Sequence, residues 1–180
     1  MTQVYLVLTD GFEEIEALAT VDILRRGEVN VKTVSLTDSR QVTGAHNVPV
    51  VADCLFSGAD FDSAELLVVP GGTVAFDQHN GLKAQLKQFV DNDKAVAAIC
   101  AAPMVLGGLG LLAGKKATCY PSFEQYLTDA EVQDGAAVVV DGNITTGRGP
   151  GLAVEFALQL LENLKGKAAR DSVAEQLLIS

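Results

Sequence analysis

The stretch AVAAICAAPMVLGG, residues 95–108, decides how this chain folds. It opens as a strand-length apolar run, Ala95–Ile99, with no polar alternation. At Cys100 it passes into a Pro-containing, helix-like run with small residues on both sides. A strand that is apolar at every position is buried on both faces, as in a parallel sheet covered by helices. Read outward, the alternation recurs. QVYLVL (3–8) is a second continuous strand, ended by Thr9-Asp10-Gly11. EEIEALATVDILRRG (13–27) is a helix with Ile15, Leu18, Ala19, Val21 and Leu24 approximating one face and Gly27 as its stop. VNVKTVSL (29–36) then completes a β-α-β unit, which implies parallel pairing through a right-handed crossover.

The remainder follows suit. QVTGAHNVPVVAD (41–53) reads as a hairpin looping at Gly44–Asn47, and AELLVVPGG (64–72) as a buried strand ending in a tight turn. GLKAQLKQFVDND (81–93) is an amphipathic helix, and the apolar run after Cys100 is expected to stay helical as far as Gly114. AAVVVDGNITTG (136–147) is a hairpin with an Asp-Gly-Asn turn. A helix started by Pro150 and stopped near Gly166 follows, then a short helix and an apolar tail. The expectation is one α/β domain over residues 1–180: a mainly parallel sheet with helices on both faces.

Composition narrows the function classes. Of 180 residues 48% are hydrophobic, enough for a sizeable core, and no apolar run approaches a membrane span. The N-terminal residues lack a basic leader and meet acid by Asp10, so a cytoplasmic protein is expected. The net charge is −10 and the basic residues are scattered, which argues against nucleic acid as a partner. The three cysteines, Cys54, Cys100 and Cys119, have no C-x-x-C spacing, and His46 and His79 stand far from them in sequence. Neither a disulfide framework, a metal site nor a cofactor is expected. GLGLLA (108–113) fits a dinucleotide fingerprint but lies about eight residues past its strand. AGKK (113–116) lacks the remaining residues of a phosphate loop, and NIT (143–145) has no bearing in a cytosolic protein.

In open α/β sheets ligands bind beyond the carboxyl ends of the strands. Three turns fall there: Thr9-Asp10-Gly11, Pro70-Gly71-Gly72 and the one at Cys100. A cysteine at a strand-to-helix turn faces unpaired N–H groups and a helix dipole that favour its thiolate, which is the logic of a nucleophile elbow. Gly71, Gly72 and Ala101 could offer backbone N–H groups to an oxyanion. A small buried hydrophobe is the competing reading of Cys100. Glu16 is the second candidate. Facing inward, it would be held protonated by desolvation and donate to sulfur; facing outward, it is an ordinary surface glutamate. Glu13 and Glu14 read as complements to the helix dipole. Cys119 is either a second thiol at the rim or, more simply, a buried structural one.

Together, DGFEEIEA (10–17), VVPGG (68–72), AAICAAP (97–103), KKATCYPSFE (115–124) and GRGPGLAVEFAL (147–158) resemble the ThiJ/PfpI (DJ-one) superfamily, and within it the parkinsonism-associated deglycase subfamily. The resemblance covers nearly the whole chain. It implies a flavodoxin-like three-layer sandwich, a homodimer, an elbow cysteine at Cys100, a protonated glutamate at Glu16 and backbone donors at Gly71 and Gly72. Tyr120, Cys119, Gly147 and Arg148 would line the pocket. It also implies stress protection through cofactor-independent glyoxalase or deglycase chemistry on reactive aldehydes such as methylglyoxal. The alternative is an oxidation-sensing or chaperone-like protein with little catalysis. Protease activity is not expected: Ala101 follows the cysteine where protease-type members have histidine, and Tyr120 stands where the deglycase type often has one.

Overall fold

Residues 2–179 are described in a computed structural model. In chain order the elements are β1 (Gln3–Leu8), α1 (Glu14–Arg26), β2 (Asn30–Ser35), β3 (Gln41–Thr43), β4 (Pro49–Val51), β5 (Cys54–Leu55) and β6 (Ala64–Val69). They continue with α2 (Asn80–Asp91), β7 (Ala95–Ile99), α3 (Pro103–Gly108), β8 (Lys116–Ala117), β9 (Glu131–Val132), β10 (Val138–Asp141), β11 (Ile144–Gly147), α4 (Ala153–Lys165) and α5 (Lys167–Gln176). The main sheet has seven strands in the order β10-β11-β7-β6-β1-β2-β5. All its pairs are parallel except the β10–β11 hairpin.

The apolar runs occupy the middle of that sheet for the reason their composition gives. Every residue of β1 is buried, and β7 is fully buried from Val96 on, because helices cover both faces. The crossover from β1 to β2 runs one way along the sheet and that from β6 to β7 the other. Right-handed crossovers in opposite directions put α1 and α2 on opposite faces, and α4 packs against α1. This is the flavodoxin-like α/β architecture. The strand order reverses between β1 and β6, so the carboxyl ends of those strands flank the switch point. Among the described residues, no helix is long and apolar enough to cross a membrane.

Two local expectations are corrected. The helix after Cys100 ends at Gly108, six residues short of Gly114. A Cβ on Gly107 would stand 2.1 Å from the Tyr126 carbonyl oxygen, and Gly110 and Gly114 adopt positive φ (+74° and +71°), so the backbone turns there. The apolar periodicity of α1 also misassigns its face. Ile15 and Leu18 are 56% and 40% exposed, while Glu14, Glu16, Ala17, Thr20, Val21, Ile23 and Leu24 are buried. The buried set follows the strand ends and α4, so two glutamates go inward and two aliphatics are left outside.

Candidate functional site

The switch point gathers three turns. Gly72 (φ +95°) lies so close to the first turn that a Cβ there would meet the Glu13 nitrogen at 2.3 Å and the Gly11 oxygen at 2.5 Å. Cys100 follows β7 directly and has φ +67°, a left-handed conformation that costs an L-residue about 1–2 kcal/mol. Two backbone hydrogen bonds hold it there. Its N–H donates to the Gly147 carbonyl and its carbonyl accepts from the Tyr120 N–H, both at 2.9 Å. The strain aims the sulfur back across the rim. Cys100 is 9% exposed, so the sulfur is recessed.

Glu16 is wholly buried. Its Oε2 accepts the Gly71 N–H at 2.7 Å, and Oε1 has no partner among the described residues. A Cβ on Gly71 would lie 2.6 Å from Cys100 Cβ, 2.8 Å from Glu16 Oε2 and 3.1 Å from Cys100 Sγ, so only glycine leaves room for carboxyl and sulfur to face each other. Burial pushes the Glu16 carboxyl up to about 7, against the pull of the Gly71 N–H and the Cys100 thiol; the charge of Glu13 adds to the rise. The inward reading of Glu16 is therefore the one the fold adopts.

The expectation for the sulfur needs correction. Burial, then the charge and hydrogen bonding of Glu16, push the Cys100 thiol up to about 12, against the backbone N–H groups of Ala101 and Gly72. The following helix cannot offset this: it starts three residues later, at Pro103, and has only six residues. Cys100 and Glu16 face each other across Gly71 closely enough for their titrations to be coupled.

The remaining rim residues divide. Tyr120 is 45% exposed, and a Cβ on Gly149 would sit 3.2 Å from its ring. Gly147 is buried and serves through its carbonyl, while Arg148 is half-buried. Cys119 is buried, its thiol also pushed up to about 12 by burial and by Glu124, with Arg148 opposing. That environment suits a structural thiol. All three cysteines are free.

Sequence reasoning missed Glu13, Glu14 and His46. Glu13 is the N-cap of α1: its Oε2 accepts the Glu16 N–H at 2.8 Å, and its own N–H donates to the Gly71 carbonyl at 2.9 Å. Glu14 accepts the His46 N–H at 2.7 Å and lies 3.0 Å from the His46 ring. The Glu13–Glu16 spacing of a capping box was the available signal. Glu13, Glu14 and His46 place ligand-type atoms within 4.8 Å of one another, but internal hydrogen bonds already occupy most of them.

The fold and site define an α/β protein with a strained elbow cysteine opposite a buried carboxyl. The DJ-1/PfpI family model matches residues 2–163, and the chain belongs to that family. It is 40% identical over 169 residues to "Protein DJ-1 homolog B" of Arabidopsis thaliana, covering 92% of this chain and 38% of that one. With Drosophila melanogaster "Protein dj-1beta" it shares 35% over 179 residues, covering 97% and 96%. The chain thus spans well under two thirds of the Arabidopsis relatives, 38% and 46% for homologs B and A, and nearly all of the Drosophila one. Its structure matches the crystal structure of Drosophila DJ-1beta with TM-score 0.95 at 34% identity, covering 99% and 98%. Oxidized Toxoplasma gondii DJ-1 matches with TM-score 0.94 at 35% identity, covering both chains fully.

Two stability outcomes follow. Cys100→Gly is expected to unfold in urea with a free energy about 0.5–1 kcal/mol above Cys100→Ala, because glycine removes the left-handed strain and alanine keeps it. Equal values would mean that φ at this position carries no strain. Glu16 ionises at its ordinary 4.5 when unfolded but at about 7 when folded. Wild-type stability therefore falls as pH rises through that window, and Glu16→Gln is expected to gain on wild type by up to about 3 kcal/mol between pH 4.5 and 7. Urea unfolding at pH 4.5 and 8 measures the change; a pH-independent difference would refute the buried-acid account.

Proposed function

We propose that this protein is a cytoplasmic, cofactor-independent stress-protection enzyme acting on small 2-oxoaldehydes such as methylglyoxal, with Cys100 as nucleophile and Glu16 as proton carrier. The observation that carries the reading is Glu16: a fully buried carboxyl, poised near neutrality, with one oxygen unpartnered and the other held across Gly71 from the sulfur. A carboxyl poised near the working pH is suited to both accepting and returning a proton. Membership of the DJ-1/PfpI family and kinship with DJ-1 homologues support a stress-related role.

The chemistry uses the pair as found. As Sγ attacks the aldehyde carbon, Glu16 takes the thiol proton and delivers it to the carbonyl oxygen, giving a hemithioacetal. The backbone N–H groups of Ala101 and Gly72, which already face the sulfur, would support the developing oxyanion. Glu16 then removes the hydrogen from that carbon and returns a proton to the neighbouring one through an enediol, leaving a thioester. Water hydrolyses the thioester to the hydroxy acid and restores the thiol. No external oxidant or reductant is needed, because one carbon is oxidised as its neighbour is reduced. Peptide hydrolysis is disfavoured on the same geometry. His79 accepts the Leu82 N–H at the start of α2, His46 is bonded to Glu14, and neither is hydrogen-bonded to Cys100.

The partner reading is a second copy of this chain. Ile15 and Leu18 on α1 stand exposed, as do Val48 and Val51 on the β3–β4 hairpin, which are 44% and 67% exposed, and the hairpin is tied to the start of α1 through Glu14. Exposed aliphatic side chains on these two elements are what a self-complementary interface would cover.

Lactate formation from methylglyoxal tests the reaction. Wild type is expected to turn over, Cys100→Ser to lose activity, and Glu16→Ala to fall by roughly 10²–10⁴-fold; equal rates in all three would end the proposal. Light scattering after size exclusion tests the partner: Ile15→Glu/Leu18→Glu is expected to convert a two-chain species into one chain. An unchanged assembly would move the interface elsewhere.

A further inference from the structure

Four of the arginines in this chain have partners for their guanidinium groups. Arg25 donates to the Val31 carbonyl and to Asp53, Arg26 to Asp22, Arg40 to the Ala52 carbonyl and Arg170 to Asp171. Arg148 is the exception. Among the described residues its guanidinium makes neither an ion pair nor a hydrogen bond, although the residue is half-buried. Withdrawing a cation from water without a partner costs free energy, and on a chain of net charge −10 carboxylates are not scarce. The fold holds this cation apart from them.

Arg148 stands where the two segments that grip Cys100 meet. On one side of it, Gly147 accepts the Cys100 N–H at 2.9 Å. On the other, Gly149 lies under the ring of Tyr120, whose backbone N–H donates to the Cys100 carbonyl at 2.9 Å. The Arg148 N–H is itself fixed by the Ala137 carbonyl at 3.0 Å. Two residues earlier, Thr146 Oγ1 accepts the Thr118 N–H at 2.9 Å, which lays the 118–120 segment on that face of β11. Side chains two apart along an extended chain share a face, so Arg148 runs beside this segment, and its charge lowers the Cys119 thiol. Glu124 acts on the same thiol in the opposite sense but forms no ion pair with Arg148. Arg148 belongs neither to α1 nor to the β3–β4 hairpin, so the second-copy contact proposed above makes no use of it.

We infer that Arg148 is the carboxylate-binding residue of this site, its free guanidinium taking the carboxylate of a small 2-hydroxy acid beside Cys100. The inference rests on the reaction proposed above for the source of that anion. The reaction consumes a neutral aldehyde and releases a carboxylate when water opens the thioester. The two oxygens of that carboxylate match the parallel N–H groups of a guanidinium, a fit that an ammonium lacks. Arg148 therefore favours the acid over its neutral precursor, which gains nothing from the charge.

The test is an NMR titration of the isotope-labelled protein with sodium lactate and with lactamide, its neutral counterpart, at constant ionic strength. Lactate is expected to shift the amide signals of Cys100, Tyr120 and Gly149 in wild type. Arg148→Gln is expected to weaken that binding about 10–100-fold, and Arg148→Lys, which keeps the charge but not the fork, to fall between. Lactamide is expected to bind wild type and Arg148→Gln alike. No lactate binding in wild type, equal affinities in wild type and Arg148→Gln, or the same loss with lactamide overturns the inference. The titration needs no turnover. If methylglyoxal is not consumed, the reaction reading fails while lactate binding still decides the role of Arg148. If it is consumed, lactate is expected to inhibit wild type, with an inhibition constant raised by the same factor in Arg148→Gln; an unmoved constant overturns the inference.

Discussion

The site depends on what the backbone of Gly71 does on its two sides. Its N–H donates to Glu16 Oε2 and its carbonyl accepts the N–H of Glu13. In an ordinary capping box the glutamate three residues into the helix would reach back to the N-cap N–H. Here Gly71 takes over that half of the exchange, and Glu16 is released to point into the protein. The result is a carboxyl buried without a countercharge, an expensive arrangement that persists only because a neutral form is within reach near pH 7. Everything chemical about the site follows from that displaced hydrogen bond.

The same glycine also controls distance. With no side chain at position 71, sulfur and carboxyl can approach across its Cα; with any side chain, one of them must move. The sulfur comes from the other direction, carried by a backbone that only the surrounding hydrogen bonds keep in a left-handed turn. Gly147 and Tyr120 hold that turn from two later segments of the chain. Rigidity at the rim therefore comes from segments near residues 10, 70, 100, 120 and 147 gripping one another, and the parallel strands beneath fix where each begins.

A thiol beside a buried carboxyl differs from a free surface thiol: burial and the facing Glu16 both favour its protonated form. The two acidic residues at the start of α1, which look like routine dipole complements, carry the hairpin loop and its imidazole.

Strand-and-helix alternation, both hairpins, the turn at Cys100 and the glycines at 71 and 72 were legible because each depends on local composition: continuous apolar runs, turn residues at their ends, and small residues around Cys100; the expected oxyanion role of Gly71 is corrected, because its N–H is taken by Glu16 Oε2. The resemblance of five ordered segments added the inward role of Glu16. The face of α1, the end of α3, the height of the Cys100 thiol and the whole Glu13–Glu14–His46 connection were not legible. Each is set by what a distant segment presents: Tyr126 against Gly107, α4 against α1, a carboxylate against sulfur, a hairpin loop against a helix start. Local sequence thus determined which elements form and which residue types reach the rim. Only the tertiary structure decided which carboxyl is buried and which is solvated, because the free energy of a charge is fixed by everything around it and not by its neighbours in the chain.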